Sequence, residues 1–317
     1  MRTNHNNVDI DLVYLWVNGE DPEWQKRKSL FTGISYRDDA MDTNARYKDN
    51  GELKYSLRSI DLYAPWIRKI FIVTDNQVPE WLNTNNPKIK IVDHSEILPA
   101  SVLPTFNSTV IEHALFKIPG LSEQFLYAND DMFINREVSK NDFFAQDGFP
   151  IIRMNRRPFR KLWYWYLNKI KGKNLNNYNA TIRNAAILVE KRYGKYIGHK
   201  THHNIDAYLK SDFEDIFETF KDDILPTLHN HIRDDRDIQR NIYSYVPIIK
   251  KRGHLKFVTQ KNSFRCHIEH PHYLKDLERG NPMLFCINDS QFADEKAHKD
   301  VMEFLSRKFP KKSQFEK

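Results

Sequence analysis

The chain has 317 residues, of which 40% are hydrophobic and 29% charged, with a formal net charge of +7. That composition excludes a disordered acidic chain and fits one large domain, or a core with a substantial insert. The basic excess is modest, so it is compatible with nucleic acid, a membrane surface or an anionic small substrate. Two cysteines, Cys266 and Cys286, form neither a short metal-binding spacing nor a disulfide scaffold, which fits a reducing compartment. The first eleven residues are polar, and no run reaches the 18 or so apolar residues of a membrane span. The expectation is a soluble, cytoplasmic protein, with room for a peripheral contact at the inner face of the cell membrane.

In chain order, the first half alternates strands and helices. Residues 8–17 read as a buried strand, stopped by the loop Asn18-Gly19-Glu20-Asp21-Pro22. Residues 52–62 have helical spacing through Leu53, Leu57 and Ile60. Strands are expected at 70–73 and 89–92, a helix at 110–116, and a strand at 125–128. This last run ends in Asn129-Asp130-Asp131. Two adjacent carboxylates in an apolar setting need a partner that offsets their desolvation, and a divalent cation on a phosphorylated substrate is a natural one.

Apolar strands therefore end in Asn18, Asp75, Asp93 and Asp130. In open α/β sheets, ligands bind beyond the carboxyl ends of the strands, so four such ends point to one site along that edge. The competing role for each residue is a helix cap or a turn. The second half reads as a mostly helical insert, with helices over 182–193, 207–220 and 235–246. The segment 283–287 reads as a late strand ending in Asn288-Asp289, which could bring Asp289 to the same metal. The tail at 309–313 reads as a solvent-facing end. The resulting division is 1–150 as an α/β core, 151–280 as the helical insert, and 281–317 as a strand and helix returning to the core.

Histidines cluster at His199, His202 and His203. In a helix, His199 and His203 would share a face and could bind zinc, but no His-Glu-x-x-His pattern is present; a general base or substrate-binding histidine is favoured over zinc, with a structural role as the competing reading. Arg183 and Arg233 are each able to fork onto phosphate oxygens. Arg153, Arg156, Arg157 and Arg160 alternate with Phe159 and Trp163, a pattern open to an anionic glycan, a lipid-linked acceptor or nucleic acid. No nucleic-acid motif is present.

Together these segments resemble the Stealth family of sugar-phosphate transferases. The first block is the run from Asp11 through Leu15-Trp16-Val17-Asn18-Gly19 to Pro22. The second spans Arg46, the Glu52-Leu53-Lys54-Tyr55-Ser56-Leu57-Arg58-Ser59 run, Ala64-Pro65-Trp66, Thr74-Asp75-Asn76-Gln77-Val78-Pro79, Leu103-Pro104-Thr105-Phe106-Asn107-Ser108, and residues 127–133. A third resembles residues 199–206 with 230–237, and a fourth residues 284–289 with 309–316. Histidines stand at 229 and 231, flanking Asn230, where the family often has one.

The resemblance implies a GT-A or Rossmann-like nucleotide-diphospho-sugar transferase core. It implies transfer of sugar 1-phosphate from a nucleotide-diphosphate sugar, most simply a UDP-sugar, to a glycan hydroxyl, with release of nucleoside monophosphate. Mg²⁺ or Mn²⁺ is the expected cofactor. The expected partners are the donor and a polysaccharide or lipid-linked acceptor, not nucleic acid. By position, Asn18, Gly19, Asp21, Asp75, Asn76, Asn107 and Ser108 would form the donor pocket. Asp131 and Asp289 would hold the metal. Asp130, His203, Arg233 and Arg183 would be the catalytic residues: His203 and Arg233 would face the transferred phosphate, Arg183 matches a family position in the helix before the third block, and the base is left open among Asp130, His203 and a substrate group. The alternative is a metal-dependent glycosyltransferase that moves the sugar alone.

Overall fold

The computed structural model describes residues 8–33, 47, 49–173, 175–270, 272–289 and 293–317. Arg46 lies outside them. Strand β1 (Ile10–Leu15) leads through Asn18 to helix α1 (Pro22–Thr32), which Asp21 caps by accepting from the backbone N–H groups of Glu23 and Trp24. There follow α2 (Glu52–Tyr63), β2 (Ile70–Thr74), β3 (Ile89–Asp93) and the short helices α3 (His94–Ile97) and α4 (Ser108–Glu112). Strand β4 (Gln124–Asn129) runs through two aspartates into β5 (Met132–Ile134).

The second half holds β6 (Ile151–Asn155), α5 (Arg160–Lys169), α6 (Asn177–Tyr193), β7 (Lys200–Thr201), β8 (Asp206–Leu209) and α7 (Lys210–Thr219). After these come α8 (Lys221–Ile224), α9 (Ile242–Ile249), β9 (His254–Phe257), β10 (Phe264–His267), α10 (Tyr273–Gly280), β11 (Leu284–Asn288) and α11 (Glu295–Lys308).

The main sheet has the order β3-β2-β1-β4-β8, with β1 to β4 parallel and β8 antiparallel at the edge. Both faces are covered, which is why β2 and the Leu12–Leu15 part of β1 read as apolar runs. Alternate residues of β1 serve different cores. Leu12 and Tyr14 pack with Leu53, Leu57 and Ile60 of α2. Val13 packs with Phe71, Val189 of α6, Phe213 of α7 and Tyr243 of α9. The order reverses at β1: β2 and β3 lie to one side, β4 to the other. Such a switch leaves a crevice beyond the strand ends, and Asn18 and Asp130 flank it.

Two three-stranded sheets complete the fold, β10-β11-β5 and β7-β6-β9. Within residues 151–280 helices carry more of the chain than strands do, in line with a mostly helical segment, and five strands not expected from the sequence run among them. The helix expected over 207–220 starts only at Lys210, because Ala207, Tyr208 and Leu209 are buried as β8 against β4. The helix expected over 235–246 starts at Ile242. Before it, the Asp234 and Asp237 carboxylates accept from the backbone N–H groups of Arg236 and Asp234, holding a turn. The helix expected over 110–116 is split into α4 and a 3₁₀ turn at Leu115–Lys117.

The tail expected to face solvent is pinned at both ends, although Pro310, Lys311 and Lys312 are exposed. Phe309 and Phe315 are buried, and Arg58 donates from Nε and Nη2 to the two carboxylate oxygens of Glu316 at 2.7 Å each. Among the described residues, no helix is long and apolar enough to cross a membrane.

Candidate active site

The site grows from the short link between β4 and β5. Asp130 and Asp131 occupy the point where the chain leaves the main sheet and enters the β10-β11-β5 sheet. A backbone bond from Ile287 N–H to Asp131 O fixes the link against β11. Asp131 Oδ1 is buried with no partner among the described residues, while its Oδ2 faces His203 Nε2 at 3.4 Å and Cys286 Sγ at 3.3 Å. A buried carboxylate oxygen left without a partner marks an acceptor waiting for a donor or a cation.

Three more carboxyls surround it. Burial, together with Asp131, Glu52 and Asp49, pushes the Asp130 carboxyl well above the usual range. Burial pushes Glu52 up to about 7, and the charges of Asp49 and Asp131 add to that. Asp49 is also raised, first by burial. Carboxyls this close either hold protons or share a cation. Burial and then Asp131 raise the Cys286 thiol, so it stays protonated and donates to Asp131. Asp131, His203 and Cys286 are close enough to hold one ion, each offering one atom. With the thiol protonated, that set keeps one carboxylate oxygen and one imidazole nitrogen, and the neighbouring carboxyls of Asp130, Glu52 and Asp49 are the oxygen donors that Mg²⁺ or Mn²⁺ would draw on.

Asp289, expected beside Asp131, sits at the far side of this group. Its Oδ2 is 2.9 Å from His298 Nε2 and accepts from Asn50 Nδ2 at 3.4 Å. Asn50 Nδ2 also donates to Glu52 Oε1 at 2.9 Å, so Asp289 joins the cluster through Asn50.

A cationic wall is built around buried Glu112. Arg233 Nη2 donates to Ser108 Oγ at 2.8 Å. Asn107, fully buried, caps α4 through its Oδ1 and donates from Nδ2 to Asp237 Oδ2 at 2.8 Å and to the Asn230 and Ile232 carbonyls, which fixes the loop that carries Arg233. Both Arg233 and His203 lie within electrostatic reach of buried Glu112, which accepts from Tyr127 Oη at 2.8 Å. Arg240 holds the base of this wall. It donates to Asp206 Oδ2 at 2.6 Å, lies 3.3 Å from Glu112 and stacks over Tyr127. Lys200, on β7, stands over the Tyr178 ring at 4.1 Å. Burial, then Arg265, Arg157 and Arg160, lowers its ammonium to about 7.

The remaining expected residues are placed as follows. Asn18 exchanges hydrogen bonds with Gln77, its backbone N–H donating to Gln77 Oε1 and its carbonyl accepting from Gln77 Nε2. Gly19 is required because a Cβ there would meet Tyr47 O at 2.4 Å. Asp21 is engaged as the α1 cap and by Gln77 Nε2, which holds its carboxyl below the usual range. Asp75 pairs with Arg27 at 2.9 Å, and the Asn76 backbone N–H donates to Asp93 Oδ2 at 2.7 Å. These residues line the β1 and β2 ends of the crevice.

Arg183, on α6, has a buried Nε without a partner, and among the described residues no hydrogen bond or ion pair joins it to Asp131. The helical His199–His203 pair does not form, since residues 200–201 are β7. His199 Nδ1 accepts from the Arg157 backbone N–H, and His202 is buried between Ser263 and Asp206. Only His203 of the three faces Asp131. Asp49, Glu112, Lys200 and Arg265 carry no sequence signal of their own, because each is brought to the site by a different part of the chain, and Glu52, although it opens a run of the second block, shows no site role in its own segment.

Residues 8–36 match the Stealth protein CR1, conserved region 1, and residues 46–152 match the Stealth protein CR2, conserved region 2. An exopolysaccharide phosphotransferase of Lactiplantibacillus plantarum is 31% identical over 98% of this chain and 96% of its own length. A capsular polysaccharide phosphotransferase of Haemophilus influenzae is 35% identical over 95% of this chain and 84% of its own. Another from Neisseria meningitidis serogroup A is 34% identical over 98% of this chain, which spans 57% of that relative. Two region matches at the N-terminal half and full-length relatives at this identity show that the chain belongs to the Stealth family.

Proposed function

We propose that this protein transfers sugar 1-phosphate from a nucleotide-diphosphate sugar to a hydroxyl of a growing capsular or surface polysaccharide. The relatives' activities point to phosphate-linked transfer in polysaccharide synthesis. The observation that carries the reading is Asp131: a carboxylate at the switch point of the sheet, with one buried oxygen unpartnered and His203 beside the other. Phosphoryl transfer needs in-line placement and charge neutralisation more than a protein nucleophile, and the crevice is built from such groups.

In this scheme the acceptor hydroxyl oxygen bonds to the β-phosphorus of the donor, and the bond from that phosphorus to the bridging oxygen breaks. The nucleoside monophosphate departs with that oxygen. The hydroxyl proton passes to His203, whose imidazolium is stabilised by Asp131. Arg233, held by Ser108, steadies the non-bridging oxygens. Asn18 and Gln77 border the donor's nucleotide end. Asp131, with Asp130 and Glu52 beside it, would hold Mg²⁺ or Mn²⁺, which when bound neutralises diphosphate charge. Asp289, tied to Glu52 by Asn50 Nδ2, would add negative charge beside the ion.

The test is a panel of UDP- and GDP-sugars with Mg²⁺ or Mn²⁺ and an oligosaccharide acceptor, scored by the nucleotide released. Nucleoside monophosphate, with sugar and phosphate both found in the product, is the expected result. Nucleoside diphosphate as the sole nucleotide product would establish transfer of the sugar alone.

A further inference from the structure

From Ile151 to Val189 the chain contains no acidic residue, whereas residues 156–173 alone carry Arg156, Arg157, Arg160, Lys161, Lys169, Lys171 and Lys173. The centre of this stretch is α5. Its inner side is anchored: Tyr164 is buried, Lys161 pairs with Glu190 at 2.6 Å, and Arg160 donates to Asn179 Oδ1 at 3.1 Å. Its outer side is apolar and bare. Phe159 is 82% exposed, Leu162 62%, Trp165 54% and Ile170 59%, with Trp163 half exposed. A groove of about 750 Å³ lies among these rings and the Arg157 and Arg160 side chains.

Single exposed apolar residues are ordinary, but a contiguous group this large on one helix marks an interaction surface. We infer that α5 and its flanks form an interfacial anchor that lies on an anionic lipid surface, with Phe159, Leu162, Trp163, Trp165 and Ile170 in the headgroup region. Tryptophans with a lysine and arginine rim, and no acid among them, are the chemistry of such a surface. A sugar-binding platform would use flat rings, and Leu162 and Ile170 offer none. A second copy of this chain would meet the same positive charge, so like charges oppose a self-contact here. The surface borders the site, because the Arg157 backbone N–H is bound to His199 and Arg157 and Arg160 neighbour Lys200. Adsorption through α5 therefore holds the crevice beside the lipid plane. The inference stands on the surface alone and does not depend on the reaction proposed above.

The experiment is co-sedimentation of the full chain with phosphatidylcholine vesicles, with and without phosphatidylglycerol. Binding is expected only with phosphatidylglycerol and is expected to fall as salt rises. The double variant W163S/W165S should bind roughly tenfold more weakly. K169Q/K171Q, an independent check if the first folds poorly, should lose about fivefold for each charge removed. Transfer to a soluble acceptor should be unchanged in both variants, which separates this test from that of the reaction. The inference is overturned if the wild type ignores phosphatidylglycerol vesicles at low salt, or if neither variant changes binding. It is also overturned if the variants lose binding to soluble polysaccharide instead, or turn a wild-type dimer into a monomer.

Discussion

Lys200 gives the sharpest quantitative consequence of the site. It stands half-buried on β7 over Tyr178, among Arg265, Arg157 and Arg160, with no ion pair among the described residues. Its ammonium therefore loses its proton at about 7 in the fold, against an ordinary 10.5. Between those values the unfolded chain binds more protons than the folded one, so stability rises with pH through that window. The penalty for holding the charge is absent above 10.5, accumulates as pH falls, and is complete below about 7. At ~1.4 kcal/mol per pH unit the full window is roughly 5 kcal/mol. Water reaching a half-buried ammonium screens at least half of this, leaving about 2 kcal/mol.

Lys200→Met keeps most of the unbranched side chain and removes the charge. The variant should be more stable than wild type by about 2 kcal/mol near pH 7, with the difference closing towards about pH 10. Urea unfolding across that range measures it through the midpoint. Inorganic diphosphate should then stabilise wild type more than the variant, because an anion among these cations restores the proton to Lys200. A variant less stable at neutral pH would refute the reasoning, as would a gap that does not change with pH.

Three further outcomes follow from other parts of the molecule. Asp131→Asn should lower nucleotide release at least ~100-fold and abolish stabilisation by Mn²⁺ in thermal melts; full activity in that variant would remove Asp131 from the mechanism. Glu316→Gln leaves the Arg58 guanidinium, 10% exposed, without its carboxylate, and should cost about 3 kcal/mol in urea unfolding. Burial lowers His113 to about 4 from 6.5, while its ring bonds to Tyr243 Oη and the Ile238 carbonyl. As pH falls the unfolded chain protonates first, so stability should drop by up to ~3 kcal/mol between 6.5 and 4, and His113→Gln should flatten that slope.

The main sheet was legible because both of its faces are covered. Runs such as Ile70-Phe71-Ile72-Val73 have no polar alternation to confuse them, and the first polar residue after each run marks the carboxyl end of a strand. Residues 206–209 were not legible as β8, since Ala207, Tyr208 and Leu209 lead without a break into the apolar face of α7. What makes them a strand is the open edge of β4 and the buried Asp206–Arg240 pair, neither of them a local property. The tail misled for a similar reason: Lys311-Lys312-Ser313 is polar, and the fate of the segment is decided by two Phe rings and by an arginine on α2.

The same limit explains the candidate metal group. Asn129-Asp130-Asp131 at the end of β4 and Asn288-Asp289 at the end of β11 look alike as sequence, an apolar strand running out into Asn and Asp. They are not equivalent in space. Strand β11 never joins the main sheet; it lies antiparallel to β5, with Cys286 opposite Met132. That register sets Cys286, rather than Asp289, against the Asp131 carboxylate, and carries Asp289 on to Asn50 and His298. Glu52 is hidden in a different way, since an acid in the first turn of a helix has a sufficient local reason to be there. Only the packing of α2 over β1 and β5 turns it into a buried neighbour of Asp130 and Asp131. Strand ends therefore disclose where a crevice lies, while the groups that set its charge come from elements whose own sequence requires nothing of the site.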